Sequence, residues 1–454
     1  MEFHYLAQAP VITEEGCEKI AAALAEFHRY KHAIIDGGLR RGDQSGLVLE
    51  HWEIPKLELL QSVVPSIPQV SSVLQWSADT TEHAHIEVVK DPASRTNNKD
   101  YSSQICRHLD RVEKCQMFDT AVHLHRATVA GFSSSAIERD EDRSDREVGY
   151  AANDADEAGE AVLNDLWAPK QSPSDFFDIA AKHVASTALS SSPLRTFTHG
   201  STAFHLNLCP SLRRLSVDSA AEKFAIPDLH SALGDFLALH SCHGRRIRPF
   251  GRTRQSAQDT PLPFKYLQIW YKVRIQQRDY HDRTSTASTY TIHAKPPNSH
   301  WKYGRYDAAI LQVDEGHDWP DSSLTGMFFR MHSSGTNLSA GHAVVEVRLI
   351  MRPHPPQGTN VVWANRFLVY VRRLDIINVE LATHLPMLKR AVRASGSYFG
   401  DIFPLDQISS FAHVVPWFGE TADKRLTYMN ACHASQSFYL NRYFDKDFFY
   451  ATNH

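Results

Sequence analysis

At 454 residues, with 42% hydrophobic and 22% charged side chains, the chain has the composition of a soluble globular protein of two or three domains. Its formal charge of −4 excludes a uniformly basic nucleic-acid coat, so contact with a polyanion must come from local patches. Six cysteines in this length, Cys17, Cys106, Cys115, Cys209, Cys242 and Cys432, form no dense disulfide framework and suit free thiols in a reducing compartment, and the lack of a CxxC pair gives a cysteine-based zinc site little support.

The opening MEFHYLAQAPVITEEG lacks the basic stretch and apolar run of a signal peptide, and no segment approaches the ~20 apolar residues of a membrane span. The expectation is an intracellular protein without membrane contact. Thr13 is placed to cap a helix whose first turn carries Glu14 and Glu15, carboxylates that suit the positive end of the helix dipole. Ile20, Leu24 and Phe27 then share one face, and Gly37 and Gly38 end the run. IPKLELLQSVVPSI predicts a second, proline-bracketed helix, TTEHAHIEVVKDP a third, and YSSQICRHLDRVEKCQMFDTAVHLH a long fourth. Residues 1–130 therefore read as a helical region.

Residues 131–170 are acidic and poor in large apolar side chains, so they read as a flexible linker. Residues 171–260 mix helix candidates with a short FHLNL strand. From Phe264 the hydrophobic period becomes two. In LQIWYKVRIQ, Leu267, Ile269, Tyr271, Val273 and Ile275 alternate with polar residues and Trp270, which predicts one continuous strand. STYTIHAK, YDAAILQV, HAVVEVRLIMR and NRFLVYVRRL continue the pattern. Residues 261–380 are expected to form a small antiparallel β barrel or sandwich, with helical and aromatic segments of 381–454 packed on it. The fold class is α+β, and no internal repeat is visible.

Four groups invite a chemical reading. Glu82 sits early in a helix, where a carboxylate usually serves the dipole alone. His85, three residues on, shares its face, giving two weak metal ligands and no HExxH-type partner. GRRIRPFGRTR is the densest basic run. Its Arg245, Arg246, Arg248, Arg252 and Arg254 read either as a solvated loop or as nucleic-acid phosphate contacts. The aromatics of FYLNRYFDKDFFYATN could stack on bases, although burial against the β region is the better use of their area. Cys106, His108 and Cys115 lack an evident fourth zinc ligand.

Several segments together carry a resemblance: FHYLAQAP, IPKLELLQSVVPSI, QWSADTTEHAHIEVVKDPASRTNNKDYSSQICRHLDR, KYGRYDAAILQVDEGHDWP, GHAVVEVRLIMRP, VVPWFGETADKRLT and SFYLNRYFDKDFFYAT. In this order they resemble the C-terminal portion of fungal Plavaka-type transposases, within the CACTA-like group of cut-and-paste DNA transposons. The most specific stretch is TEHAHIEVVKDPASRTNNKDY, with Glu82, His85, Lys90, Asn97 and Asn98 in that order. The resemblance implies an RNase H-like core in which three acids hold two Mg²⁺ or Mn²⁺ ions, with Glu82 matching the third acid. Two ions need several carboxylates, and the aspartates expected on preceding strands would lie before Met1. The expectation is a nuclear, transposase-derived remnant with no cofactor of its own. It would serve as a DNA-binding or assembly fragment whose partners are DNA and other transposase subunits. The rival expectation is a protein-interaction module built on the β region. A third is a nuclease completed by another chain.

Overall fold

The structure is a computed structural model that describes residues 1–43, 46–76, 82, 84–97, 99–130, 175–186, 194–243, 254–257, 259–313, 319–320, 341–354, 366–381, 383–394, 396–419 and 425–452. The expected linker at 131–170 lies outside these residues. The chain divides into two compact units, Met1–Pro173 and Ser174–His454. No helix among the described residues is long and apolar enough to cross a membrane.

The described part of the first unit is helical. The Thr13 hydroxyl accepts from the Gly16 N–H at 3.1 Å and caps the helix Glu14–Tyr30. Ile20 and Leu24 of that helix are buried, with Ile67 of the helix Val63–Val70 and Ala7 in the same cluster. The helix Tyr101–Ala130 buries Ile105, whereas Val112, Met117 and Phe118 are exposed. Among its described side chains, through residue 122, the buried apolar contact lies near its start.

The second unit is built on antiparallel sheets that stay open, so the barrel alternative is replaced by two layers. The smaller sheet runs β1 (Thr196–His199), β2 (Thr202–His205), β5 (Lys272–Gln277), β6 (Tyr290–Lys295), β7 (Arg305–Tyr306). The larger sheet centres on β8 (Ala308–Gln312), β9 (His342–His354) and β10 (Leu368–Val379). At one end β3 (Leu212–Ser216) and β4 (Tyr266–Trp270) extend it through β9. Toward the C-terminus it adds β11 (Pro386–Arg390), β12 (Gly400–Pro404), β13 (Ile408–Ala412), β14 (Val414–Pro416) and β15 (Ser437–Leu440).

The expected single strand LQIWYKVRIQ is two strands. The chain leaves the large sheet after Trp270 and enters the small one at Lys272, turning at Tyr271. Leu267 and Ile269 accordingly face the helices, while Trp270, Val273 and Ile275 face the space between the sheets. Trp270, read as the outward residue, is buried because β4 is covered on both faces, and the corner at Tyr271 puts Val273 and Ile275 on the side of Trp270 rather than that of Ile269.

Between the sheets, Phe204, Val273, Ile275 and Ile292 meet Val345, Val347, Val369 and Val371. The far face of the large sheet is covered twice. The helices Val217–Lys223 and Leu229–His243 bring Leu229, Leu233 and Phe236 onto Leu349, Met351 and Tyr370. The C-terminal segment brings Phe438, Leu440 and Phe448 onto Ile310, Val344 and Leu388. Those terminal aromatics are core residues, because a sheet covered on both faces needs their area.

The last helix, Lys446–Thr452, carries one costly group into this packing. Asp447 is 9% exposed, and its Oδ1 accepts from the Tyr280 N–H at 3.3 Å. Burial, then the carboxylates of Asp279 and Asp445, push its carboxyl up to about 6, against the pull of Lys446. A folded-state value above the ordinary 3.8 contributes stability that is fully present below that value and lost as pH rises through about 6. Asp447→Asn keeps the acceptor and cannot ionise. It is expected to match the wild type near pH 4 and to be more stable at pH 7.5, by up to ~3 kcal/mol. Urea titrations of both proteins at the two pH values read the difference directly. An Asn variant less stable than wild type at pH 7.5 refutes the assignment.

Candidate nucleic-acid interface

Two turns on the second unit present aromatic rings among cations. The first joins β6 to β7. Asn298 Oδ1 accepts from the backbone N–H groups of His300 (2.9 Å) and Trp301 (2.7 Å), and the Gly304 N–H closes the turn on the Trp301 carbonyl at 3.0 Å. Gly304 has φ +80°, and a Cβ there would run into the Tyr306 ring and the Lys295 carbonyl. The second turn precedes the short helix Ala431–Ala434. Asn430 organises it, accepting from the Thr427 N–H at 2.6 Å and donating to the Arg425 carbonyl at 3.0 Å.

The rings of the two turns pair. Trp301 meets Tyr428 edge to face at 5.7 Å, and Tyr303 stacks on His433 at 4.2 Å with 9° between the planes. Tyr428 is 71% exposed and Tyr303 38%. The Arg305 guanidinium lies 5.5 Å from the centre of the Trp301 ring, and the Lys302 ammonium 5.8 Å from that of Tyr303. Burial, then the charges of Arg390 and Arg348, draw the His433 imidazole below its ordinary value.

A buried charged node supports both turns from the face of the large sheet. Glu346 on β9 stands opposite Arg372 on β10, and a β-bulge at Arg348 resets the alternation so that Leu349 also reaches this face. Arg390 donates to Glu346 Oε1 at 3.0 Å and to the carbonyls of Cys432 (2.7 Å) and Ser435, which ties the helix bearing His433 to the sheet. Arg348 lies 3.5 Å from Glu346 Oε2, donates to the Phe224 carbonyl at 3.1 Å, and covers the Tyr306 ring at 3.4 Å from its centre. Burial alone would push the Glu346 carboxyl up. Arg348, Arg390 and Arg372 overrule it and hold the group below its ordinary range. Three guanidinium groups face one carboxylate at this node, while Asp307 stands 3.6 Å from Arg305 and 2.8 Å from His293 Nδ1.

Neither ring pair contains a residue singled out in the sequence. Glu82 and His85 lie on an exposed helical stretch, followed by one wide turn at Ile86–Lys90 where the Asp91 N–H reaches back to the Ile86 carbonyl. Among the described residues, no group of three or more His, Cys, Asp or Glu side chains is arranged to hold a metal. Cys106 and Cys115 are exposed free thiols. Arg245, Arg246, Arg248 and Arg252 lie outside the described residues.

Arg254 is described, and it is an interior strut. Its Nη1 donates to Asp401 at 2.6 Å, its Nη2 and Nε to Asp228 at 2.8 and 3.1 Å, and its Nη2 also to the Gly400 carbonyl. Asp235 stands at 3.6 Å. Burial works against this charge, but Asp401 and Asp228 overrule it and hold the guanidinium above its ordinary value. A phosphate would have to displace these carboxylates to reach Arg254. Arg254 is therefore not a phosphate contact.

The charge is divided unevenly along the chain. Ser174–His454 holds 31 Lys and Arg against 23 Asp and Glu, a net +8, while Met1–Pro173 holds 17 against 29, a net −12. The signal for the ring-and-cation surface was present in HWKYGRY, where rings and cations alternate just before a strand. Its partners Tyr428 and His433 lie more than a hundred residues away and carry no comparable local pattern.

A protein-family model described as "Domain of unknown function (DUF6830)" matches residues 177–389. No curated protein and no solved structure shows a significant match to the chain. The matched span contains Trp301, Tyr303 and Glu346 but stops short of Arg390, Tyr428 and His433, so the two turns come from either side of its boundary.

Proposed function

We propose that this chain is a transposase-derived DNA-binding or assembly module, in which residues 1–130 are the remnant of an RNase H-like core and the β-rich unit holds the DNA. The observation that carries this reading is the ring-and-cation surface of Trp301, Lys302, Tyr303 and Arg305, set on a unit of net charge +8. Partners in this reading are DNA and further transposase subunits, and the location is the nucleus. Glu82 and His85 take no part in binding, and Mg²⁺ or Mn²⁺ would serve an intact relative with a full set of acids.

Fluorescence anisotropy of the full chain with labelled DNA, across a salt series, tests the reading. Affinity is expected to fall steeply with salt, and Lys302→Glu with Arg305→Glu to weaken it at least ~10-fold. Salt-independent binding, or none at 50 mM salt, removes the proposal and favours the protein-interaction alternative. Mg²⁺-dependent nicking of duplex that disappears in Glu82→Ala would overturn the non-catalytic part.

A further inference from the structure

Within that DNA-binding reading, we propose that the surface formed by the Trp301–Tyr428 and Tyr303–His433 ring pairs is a single-strand DNA site. It takes unpaired bases on the rings, with Lys302 against the backbone phosphates and Arg305, 3.6 Å from Asp307, beside the Trp301 ring. The geometry of the rings carries the argument. The half-buried Trp301 braces Tyr428 and His433 braces Tyr303, so the two exposed tyrosine rings are preorganised and lose little freedom on binding. Trp301 and Tyr303 are two residues apart, so their backbone positions lie no more than ~7 Å from each other, within reach of neighbouring nucleotides.

Duplex DNA offers no base faces to such a surface, because they are stacked on each other. It is read at base edges by a helix or a β ribbon that enters a groove. Here the exposed rings sit on two tight turns and a four-residue helix, a shape that meets a splayed strand. Stacking on an exposed ring tolerates any base, and Lys302 beside the Tyr303 ring suits a phosphate backbone. A neutral peptide would use the rings and leave Lys302 idle.

The experiment compares a labelled mixed-sequence single-stranded DNA, the matched duplex and the matched single-stranded RNA on the full chain. Single-stranded DNA is expected to bind at least ~10-fold more tightly than duplex. Tyr428→Ala, at a largely solvated position, is expected to bring that ratio close to one while the circular dichroism stays that of the wild type, and Tyr428→Phe to restore it. A ratio near one in the wild type, or a preference unmoved by Tyr428→Ala, overturns the single-strand site while DNA binding stands. Tighter binding of the RNA overturns the assignment to DNA. Failure of all three nucleic acids to bind removes the functional reading with it.

Discussion

Arg254→Met is expected to destabilise the second unit by roughly 3–5 kcal/mol, the range for a buried ion cluster that loses one partner. The guanidinium joins the helix Leu229–His243 and the residue before it to β12. It engages Asp228 and Asp401 directly and stands 3.6 Å from Asp235. Methionine fills much of the same space and leaves three carboxylates facing one another without the cation. Tyr370 is drawn in as well. Its hydroxyl donates to Asp228 Oδ1 at 2.6 Å, and burial, then that carboxylate, hold its phenol well above the ordinary value. Relief should be specific. In the Arg254→Met background, Asp401→Asn removes one of the opposed charges and is expected to recover part of the loss. Urea unfolding at pH 7 followed by tryptophan fluorescence measures all three proteins, and an Arg254→Met midpoint equal to that of the wild type sinks the strut. The experiment also separates the two meanings of the basic run, since a phosphate contact would lower DNA affinity and leave stability untouched.

The same run shows where the sequence stops informing. Five arginines in ten residues read as one surface, because composition carries no record of the carboxylates at 228, 235 and 401 that the fold gathers round one of them. Local signals fared better. Thr13 caps its helix as a hydroxyl before two glutamates should, and Phe438, Phe448 and Phe449 are buried as their area requires. β9 is buried along nearly its whole length, where the period of two in HAVVEVRLIMR predicts one buried face, because the sheet is covered on both faces. LQIWYKVRIQ kept its period through Tyr271, yet the chain changes sheets there. Alternation reports which side chains share a face and is silent about which sheet supplies the face. Of the strands outside 261–380, FHLNL signals part of β2, while β1, β3 and β11 to β15 were hidden because they are short and some pair with strands remote in sequence. The ring-and-cation surface was half legible in HWKYGRY. Its other half depends on Arg390 and Glu346, whose union is a tertiary event.

Glu346→Gln is expected to be the other severe substitution, with a loss of about 3–5 kcal/mol at pH 7. The amide keeps the shape and one acceptor oxygen, so packing changes little. What disappears is the negative charge that offsets Arg348, Arg390 and Arg372 on a buried face of the sheet. Backbone carbonyls of Phe224, Cys432 and Ser435 remain as acceptors but supply only partial charge. The pH dependence identifies the cause. Because the folded-state carboxyl is held below its ordinary 4.5, its contribution is present above that value and lost as pH falls through the folded-state value. The gap between wild type and Glu346→Gln should therefore stay constant from pH 7 to pH 5 and close only in stronger acid. A gap that closes already between pH 7 and pH 5 points to another group, and a gap under ~1 kcal/mol at pH 7 means the node is not held by charge. Replacing both Glu346 and Arg390 by leucine supplies the complementary measurement. If uncompensated charge is the main cost, this neutral pair should be less damaging than Glu346→Gln alone, although it still severs the tie to Cys432 and Ser435. Both variants should weaken single-strand binding, since Arg390 holds the helix that carries His433 against Tyr303. Stability and recognition then depend on the same buried guanidinium groups.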